Sequence, residues 1–325
     1  MSLDRRSFLF LGASAFADLA LAGYNPLNGY SVRTNGMDCG KTLKVKQLEI
    51  DIGIGRAFRV FHFSDTHLAF FDAADFVASK DKRCLERWKT FPQALPSFYE
   101  SLAYAADRNL PMIHTGDLID YVTSGNDTVL GRNVSEGGFL YAIGNHEYLD
   151  LDESKYVVDE EPVRRRLRPR LPNDLTVASR VIGGVNFVAF DNARRNVRQD
   201  AIDGVKREFA KGLPVVLCCH CPPDYTPLFL DNAARDVYRN HMRTTDEDLT
   251  FEEFKVRYNL PRANPADSDN ERTKGFYSWL RANCQLKAIL CGHTHIEETG
   301  AFSETANMYV AGCNAHGLAY EVVFK

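Results

Sequence analysis

The 325-residue chain lacks any apolar run of the roughly 20 residues that a bilayer-crossing helix needs, so no transmembrane span is expected. It also lacks an excess of one charge. A formal net charge of −4 gives no basic surface for a nucleic-acid polymer and no pull toward an acidic membrane face. Internal repeats and low-complexity tracts are absent, which removes repeat architectures and biased disordered segments. Eight cysteines are present, but the spacing of a disulfide framework is not. Cys218, Cys219 and Cys291 fall in apolar runs, where a thiol acts as a small hydrophobe, while Cys39, Cys84, Cys284 and Cys313 are scattered. Mostly free thiols are therefore expected.

The chain opens with a leader-like pattern. "MSLDRRSFLFLGASAFADLALAG" pairs Arg5 and Arg6 with a small-apolar stretch and an A-x-A-like site at Ala20-Leu21-Ala22. This resembles a twin-arginine export signal, although Asp4 and Asp18 depart from the pattern. The alternatives are an amphipathic N-terminal helix or a retained anchor. The organisation expected is a signal segment at 1–22, a Gly/Asn-rich linker at 23–42 and one domain at 43–325. A functional signal implies a periplasmic or cell-surface protein; without it the chain is cytoplasmic.

Within the domain, strand-like runs at 43–54, 58–63, 111–114, 138–143, 214–219 and 286–291 alternate with helical patterns at 96–108, 200–211 and 274–283. A hairpin-like pair spans 181–191, and strands at 308–311 and 319–324 follow the last helix. Such alternation with antiparallel-looking pairs indicates α/β layers. The polar excursion at 222–272 is too long for an ordinary connection and reads as a cap-like insertion.

Five strand ends deliver metal-type ligands, in a chain with only nine histidines. In order they are Asp65 and His67, Asp117, Asn145 and His146, His220, and His293 and His295. Carboxylate, carboxamide and imidazole together suit Mn, Fe or Zn better than Ca or Mg. Strands suit the task, because their carboxyl ends in an α/β sheet converge on one crevice.

The series "DTH", "GDLID", "GNHE", "CCH" and "GHTH" resembles the calcineurin-like metallophosphoesterase family, from about residue 58 to residue 295. The resemblance implies a four-layer αββα sandwich. It implies one divalent ion held by Asp65, His67 and His295, a second held by Asn145, His220 and His293, and Asp117 bridging the two. A metal-bridging hydroxide would then attack a phosphoester, with His146 as general acid or phosphate-orienting group. Departures narrow the kind of enzyme. Asp120 stands where purple acid phosphatases carry a tyrosine ligand, and both arginines of the Ser/Thr phosphatase motifs are missing. The pattern resembles bacterial phosphodiesterase-type members, with a broad phosphomonoesterase as the alternative. A metal-containing binding or scaffold protein without turnover is the alternative of another class. A small phosphoester is the expected partner.

Other features invite blander readings. His62 and His114 fit no ligand slot and read as core or supporting histidines. Consecutive cysteines in "CCHC" (218–221) cannot wrap a tetrahedral ion as spaced pairs do. Asp120 reads equally as a carboxylate behind a ligand histidine or as a surface group. The "VRRRLRPR" run at 163–170 reads as a solvated, charge-paired face. Tyr148, Asn192, Arg194, Arg195 and His316 are candidates for the pocket border by their proximity to motifs. If the leader functions, replacing Arg5 and Arg6 together by lysine should hold the protein in the cytoplasm on cell fractionation. Unchanged export would remove the twin-arginine reading.

Overall fold

A computed structural model of the chain describes residues 42–79, 84–149, 151, 157, 159–194, 196–223 and 270–325. The expected signal segment, nearly all of the linker, Cys39, Arg195 and residues 224–269 of the expected cap lie outside the described residues.

Two sheets form. The first contains β1 (Lys44–Ile50), β2 (Phe58–Phe63), β3 (Met112–His114), β4 (Leu140–Tyr141) and β11 (Leu318–Phe324), in the order β1-β11-β2-β3-β4. The second contains β5 (Val177–Ile182), β6 (Val185–Phe190), β7 (Val215–Cys218), β8 (Leu286–Cys291), β9 (Glu298–Ala301) and β10 (Asn307–Val310), in the order β5-β6-β7-β8-β10-β9. The ladders β2-β3-β4 and β6-β7-β8-β10 are parallel, so their carboxyl ends lie on one side of each sheet.

Period-two alternation decides what each strand faces. Phe61 and Phe63 meet α2 (Ala94–Asp107) and α3 (Ser124–Gly137) through Phe98, Leu102, Val129, Leu130 and Val134. Val188, Phe190, Val215, Leu217, Ile289 and Cys291 meet α5 (Gln199–Phe209) and α6 (Glu271–Arg281) through Val205, Phe209, Phe276 and Leu280. The opposite parity of the same strands fills the space between the sheets. Val60, Ile113 and Val322 there pack with Phe187, Ala189, Val216, Cys218, Ala288 and Leu290. The result is the αββα order of layers.

Boundaries differ from expectation where tertiary contacts override local preference. The expected 43–54 strand ends at Ile50, and Gly53 turns out of it at φ 71°. The chain at 138–143 pairs only at Leu140–Tyr141, because Gly138 caps α3 in the left-handed region. Helix α3 itself was not expected from "SGNDTVLGRNVSEG", whose glycines and asparagines disfavour helix. Its start is fixed from outside: the Thr123 hydroxyl accepts from Asn126 N–H at 3.0 Å. At Gly125, a Cβ would lie 2.5 Å from the Phe70–Phe71 backbone, so the helix docks only with glycine there.

Two short helices, α1 (Ala73–Ala78) and α4 (Glu161–Leu167), complete the described α-helices, and a two-turn 3₁₀ segment spans Cys84–Lys89. Helix α4 corrects the reading of the arginine run. Arg166 and Arg170 do pair with Asp127, and Arg168 with Glu161. Arg164, however, is buried at 1% exposure and paired with Asp191. The same Asp191 accepts from Tyr148 Oη at 3.0 Å. All six cysteines whose side chains are described are free thiols.

Phe187 joins the sheets, packing edge-on against Phe58 and Phe324 with ring centroids 6.0 and 5.3 Å away. Phe187→Ala is expected to cost about 3–5 kcal/mol in chemical denaturation. A loss below about 1 kcal/mol would mean that the layers close over the gap.

Candidate metal centre

The motif residues sit where the chain reverses at strand ends, and the backbone shows what that demands. Asp65, His67, Asp117, His293 and His295 have φ of 57°, 51°, 53°, 74° and 60°. Among the described residues only Asn109 joins them as a non-glycine at positive φ. Each such residue costs on the order of 1–3 kcal/mol and persists only where its surroundings impose it. The surroundings here are other motif loops. Asp65 N–H donates to Gly116 O at 3.0 Å, and His67 N–H to Asp117 O at 2.9 Å. His293 N–H reaches the Asp65 carboxylate at 3.0 Å. The glycines that precede ligands permit the approach: a Cβ at Gly292 would stand 2.3 Å from Asp65 Oδ2, and one at Gly144 2.1 Å from Asp117 N.

Two groups of donor atoms result. In one, His67 Nε2 and His295 Nε2 are 2.9 Å apart, and Asp65 Oδ1 is 3.4 Å from His295 Nε2. In the other, His220 Nε2 lies 3.1 Å from His293 Nδ1 and 2.9 Å from Asn145 Oδ1. Asp117 stands between them, its Oδ2 3.8 Å from His67 Nε2 and 3.2 Å from His220 Nε2. The far nitrogens are anchored: His67 Nδ1 lies 2.6 Å from Asp120 Oδ1, and His220 Nδ1 2.8 Å from Thr115 O. Anchoring the far N–H on an acceptor turns the near nitrogen's lone pair inward. Lone pairs crowded at such distances suit cations. The donor chemistry fits divalent metal ions.

Without ions, protons hold this cluster together. Burial would lower the His220 and His295 pKa values, but carboxylates outweigh it. Asp117 leads for His220, pushed up to about 9, and Asp65 for His295, pushed up to about 11. Burial would raise Asp65, Asp117 and Asp120, yet neighbouring imidazoles keep all three below the usual carboxylate range. His146 is raised: burial opposes charge, and Asp117 and Asp120 override it. Glu147 goes up to about 7 through burial and the nearby Asp117 charge. Its carboxyl accepts from Leu118, Ile119 and Gly144 N–H at 2.7, 3.1 and 2.9 Å, tying two motif loops together.

The remaining candidates fall into three situations. Asp120 is fully buried and not a surface group. His67 Nδ1 and His146 Nδ1 stand 2.6 and 2.7 Å from its Oδ1, and Arg87 Nε donates to its Oδ2 at 2.7 Å. The His146 contact is close but off the line of a well-formed hydrogen bond. His316 is exposed, its ring 6.5 Å from that of His295. Tyr148 is wholly buried on Asp191, which leaves it no surface for a substrate, and Arg194 is turned to Val157 O at 3.1 Å. Asn192 is buried too; its side chain holds His220 N and Cys221 N, each at 3.1 Å. His62 and His114 bond Thr115 and Thr66 hydroxyls at 2.9 Å, and burial drives their pKa values to about 4 and about 3. Both stay neutral.

Sequence reasoning missed Arg87 and Phe91. Phe91 stacks on His67 at 4.6 Å and 14°, with the Arg87 guanidinium 5.0 Å above its own ring. Neither lies near a motif, and only the fold brings them in.

A family profile described as calcineurin-like phosphoesterase matches residues 58–297, most of the chain. The chain belongs to that family. This phosphoesterase is accordingly a hydrolase of phosphoric ester bonds, from a family that works with a binuclear metal centre. Comparison with curated proteins finds no match. Among solved structures, the phosphoesterase is similar to a dimetal phosphatase from Danio rerio (10% identity, TM-score 0.45, 80% of this chain and 88% of that one). It is also similar to a phosphopantetheinyl hydrolase from Mycobacterium tuberculosis (12%, 0.37, 81% and 92%). A 5'-nucleotidase from Candida albicans (16%, 0.34, 84%) is matched over 48% of its own length. Among the described residues, no helix is long and apolar enough to cross a membrane.

The proton-held state predicts how the metal-free phosphoesterase responds to pH. His220 and His295 bind protons more tightly folded than unfolded, so their contribution is complete below about pH 6.5 and disappears as pH rises through about 9 and then about 11. The depressed carboxylates contribute above about pH 4 and lose that contribution as pH falls toward their folded values. His62 and His114, held neutral, add stability that is lost as pH falls below about 6.5. Chelator-treated protein should therefore melt highest near about pH 6.5, and added manganese should restore its melting temperature near pH 8.5. A melting temperature flat from about pH 6 to 10 would contradict this proton-held state.

Proposed function

We propose that this phosphoesterase hydrolyses phosphodiesters. Asp65, His67 and His295 would hold one ion, Asn145, His220 and His293 the other, with Asp117 shared. The observation that carries the diester preference is the engagement of Arg87. Its Nε is committed to Asp120, so the charge of this guanidinium is partly screened at this edge of the site. A singly charged diester suits that edge better than a dianionic monoester, which gains more from an uncommitted cation. When bound, a pair of dications makes a water nucleophile available near neutral pH and neutralises phosphate oxygens.

The chain's own groups do the rest. Asp117 and Asp120 face His146 and raise its pKa against the effect of burial. Its side chain is 20% exposed, open enough for Nε2 to reach a leaving oxygen. Asp120 orients His146 and His67 through one carboxylate oxygen, coupling the acid to a ligand. Asp117 Oδ1 accepts His146 N–H at 2.9 Å, which fixes the acid beside the shared carboxylate. Exposed His316 stands beside His295 and is suited to contact the substrate. The 222–272 segment departs directly after Cys221, next to His220, which supports a role over the site and in substrate choice. The mixed donor set supports Mn, Fe or Zn. The Arg5-Arg6 leader supports export.

Activity on matched aryl and alkyl phosphate mono- and diesters with added manganese tests the reading, and kcat/KM should favour the diesters. A monoester preference would reverse it, and two bound metals without turnover of either would favour a scaffold. His146→Ala should lower alkyl diester turnover by about 10²–10⁴-fold, and aryl diester turnover much less, because aryl leaving groups need little protonation. Metal content should stay near that of wild type; equal losses on both substrates would remove the general-acid role.

A further inference from the structure

We propose that Cys313 is a sulfur donor to the ion position framed by Asp65, His67 and His295, making the two halves of the centre chemically unlike. The inference rests on the binuclear reading above and adds to it a ligand that the motif series does not contain.

Cys313 follows β10 at the start of the single turn Asn314–His316 and is 1% exposed. Its sulfur and one ring nitrogen each of His67 and His295 lie within 4.8 Å of one another, close enough to face one ion. The thiol hydrogen-bonds Asp65 O at 3.2 Å, so it sits against the backbone of a ligand residue. The loop that carries it is locked to the first motif: Asn314 N–H donates to Ser64 O at 2.8 Å, and Ala315 N–H to Asp65 O at 3.0 Å. Those bonds fix the Cys313 backbone beside the first motif, and the thiol's own bond to Asp65 O holds its sulfur on the side of the cluster.

Cys221 offers a contrast at the other position. It too clusters with His220 and His293, but its sulfur leans on Ala193 O at 3.7 Å. Its backbone is clamped on both sides by Asn192, which accepts from Cys221 N–H at 3.1 Å and donates to Cys221 O at 2.6 Å. The sulfurs differ in what they bond: Cys221 a residue outside the donor set, Cys313 a residue within it, so we assign the sulfur donor to Cys313 alone. On binding, the S–H proton passes to solvent, the hydrogen bond to Asp65 O is given up, and a sulfur lone pair forms the bond to the dication. Thiolate is a soft ligand, so this position would favour zinc, cobalt or cadmium over manganese or magnesium, whereas the N/O set of the other position would discriminate less.

Cobalt(II)-loaded full-length protein reads this directly, because a thiolate ligand adds a sulfur-to-cobalt charge-transfer band in the near ultraviolet. The band should be present in wild type, lost in Cys313→Ser and kept in Cys221→Ser. Competition of zinc against manganese at this position should weaken by at least about 10-fold in Cys313→Ser. Should Cys313→Ser fail to fold, X-ray absorption of zinc-loaded wild type and Cys221→Ser should both show a sulfur shell at about 2.3 Å, with one sulfur per two zinc ions. Two bound cobalt ions with only nitrogen and oxygen ligands, or a band that survives in Cys313→Ser, would overturn the sulfur assignment and leave the binuclear centre standing. Failure of wild type to bind cobalt or zinc at all would overturn the centre itself.

Discussion

Asp117 offers one carboxylate oxygen to the His146 N–H and turns the other toward His220, 3.2 Å away, and His67, 3.8 Å away. The residue is buried, and its backbone is left-handed. An anion in that setting is stable only if positive charge sits against it, from protonated imidazoles or from ions. The rest of the site is arranged around that requirement. Five left-handed residues at about 1–3 kcal/mol each represent strain comparable with the whole stability of a typical domain, about 5–15 kcal/mol. Ion binding on the order of 10 kcal/mol is large enough to offset it. The centre is thus a store of strain and lone-pair crowding that dications relieve.

The motif residues were legible because each follows a strand-like run, with a glycine just before Asp117, Asn145 and His293. His293 and His295 fall into different donor groups, and the shared Asp117 stands between those groups. The four-layer order was legible through the family resemblance; in the structure Cys218 and Cys219 face opposite sides, one between the sheets and one toward α5 and α6. Contacts assembled from distant segments were not legible. Asp120 looked ambiguous because its partner Arg87 precedes it by 33 residues on a stretch with no periodic pattern. Arg164 looked solvated because five arginines in eight residues normally are; only the fold reveals Asp191 opposite one of them. Helix α3 escaped because its signal is in what it docks against, not in its composition.

Several supports couple the two sheets at the level of the ligands. Glu147 ties the Asp117 loop to the Asn145 loop within the first sheet. Tyr148, next to it, meets Asp191 at the end of β6, and Asn192 then holds the backbone of His220 and Cys221. Arg164 neutralises Asp191 from the outside. A line of buried polar contacts therefore runs from the acid's loop in one sheet to a ligand in the other. Because every member is buried, removing one leaves its neighbour unpaired in a low-dielectric setting, where that is costly.

Strand β11 lies between β1 and β2, parallel to the first and antiparallel to the second. Residues 44–50 and 58–63 are among the first described residues that a ribosome releases, yet they share no ladder until 318–324 insert between them. The β1 edge must wait through the synthesis of nearly the whole chain, and so must His293 and His295. Closure of this sheet therefore waits on β11, with exposed strand edges for chaperones to guard meanwhile. The donors are spread in the same way: Asp65 and His67 follow β2 whereas His293 and His295 follow β8, so neither donor group is complete before β8 has been made.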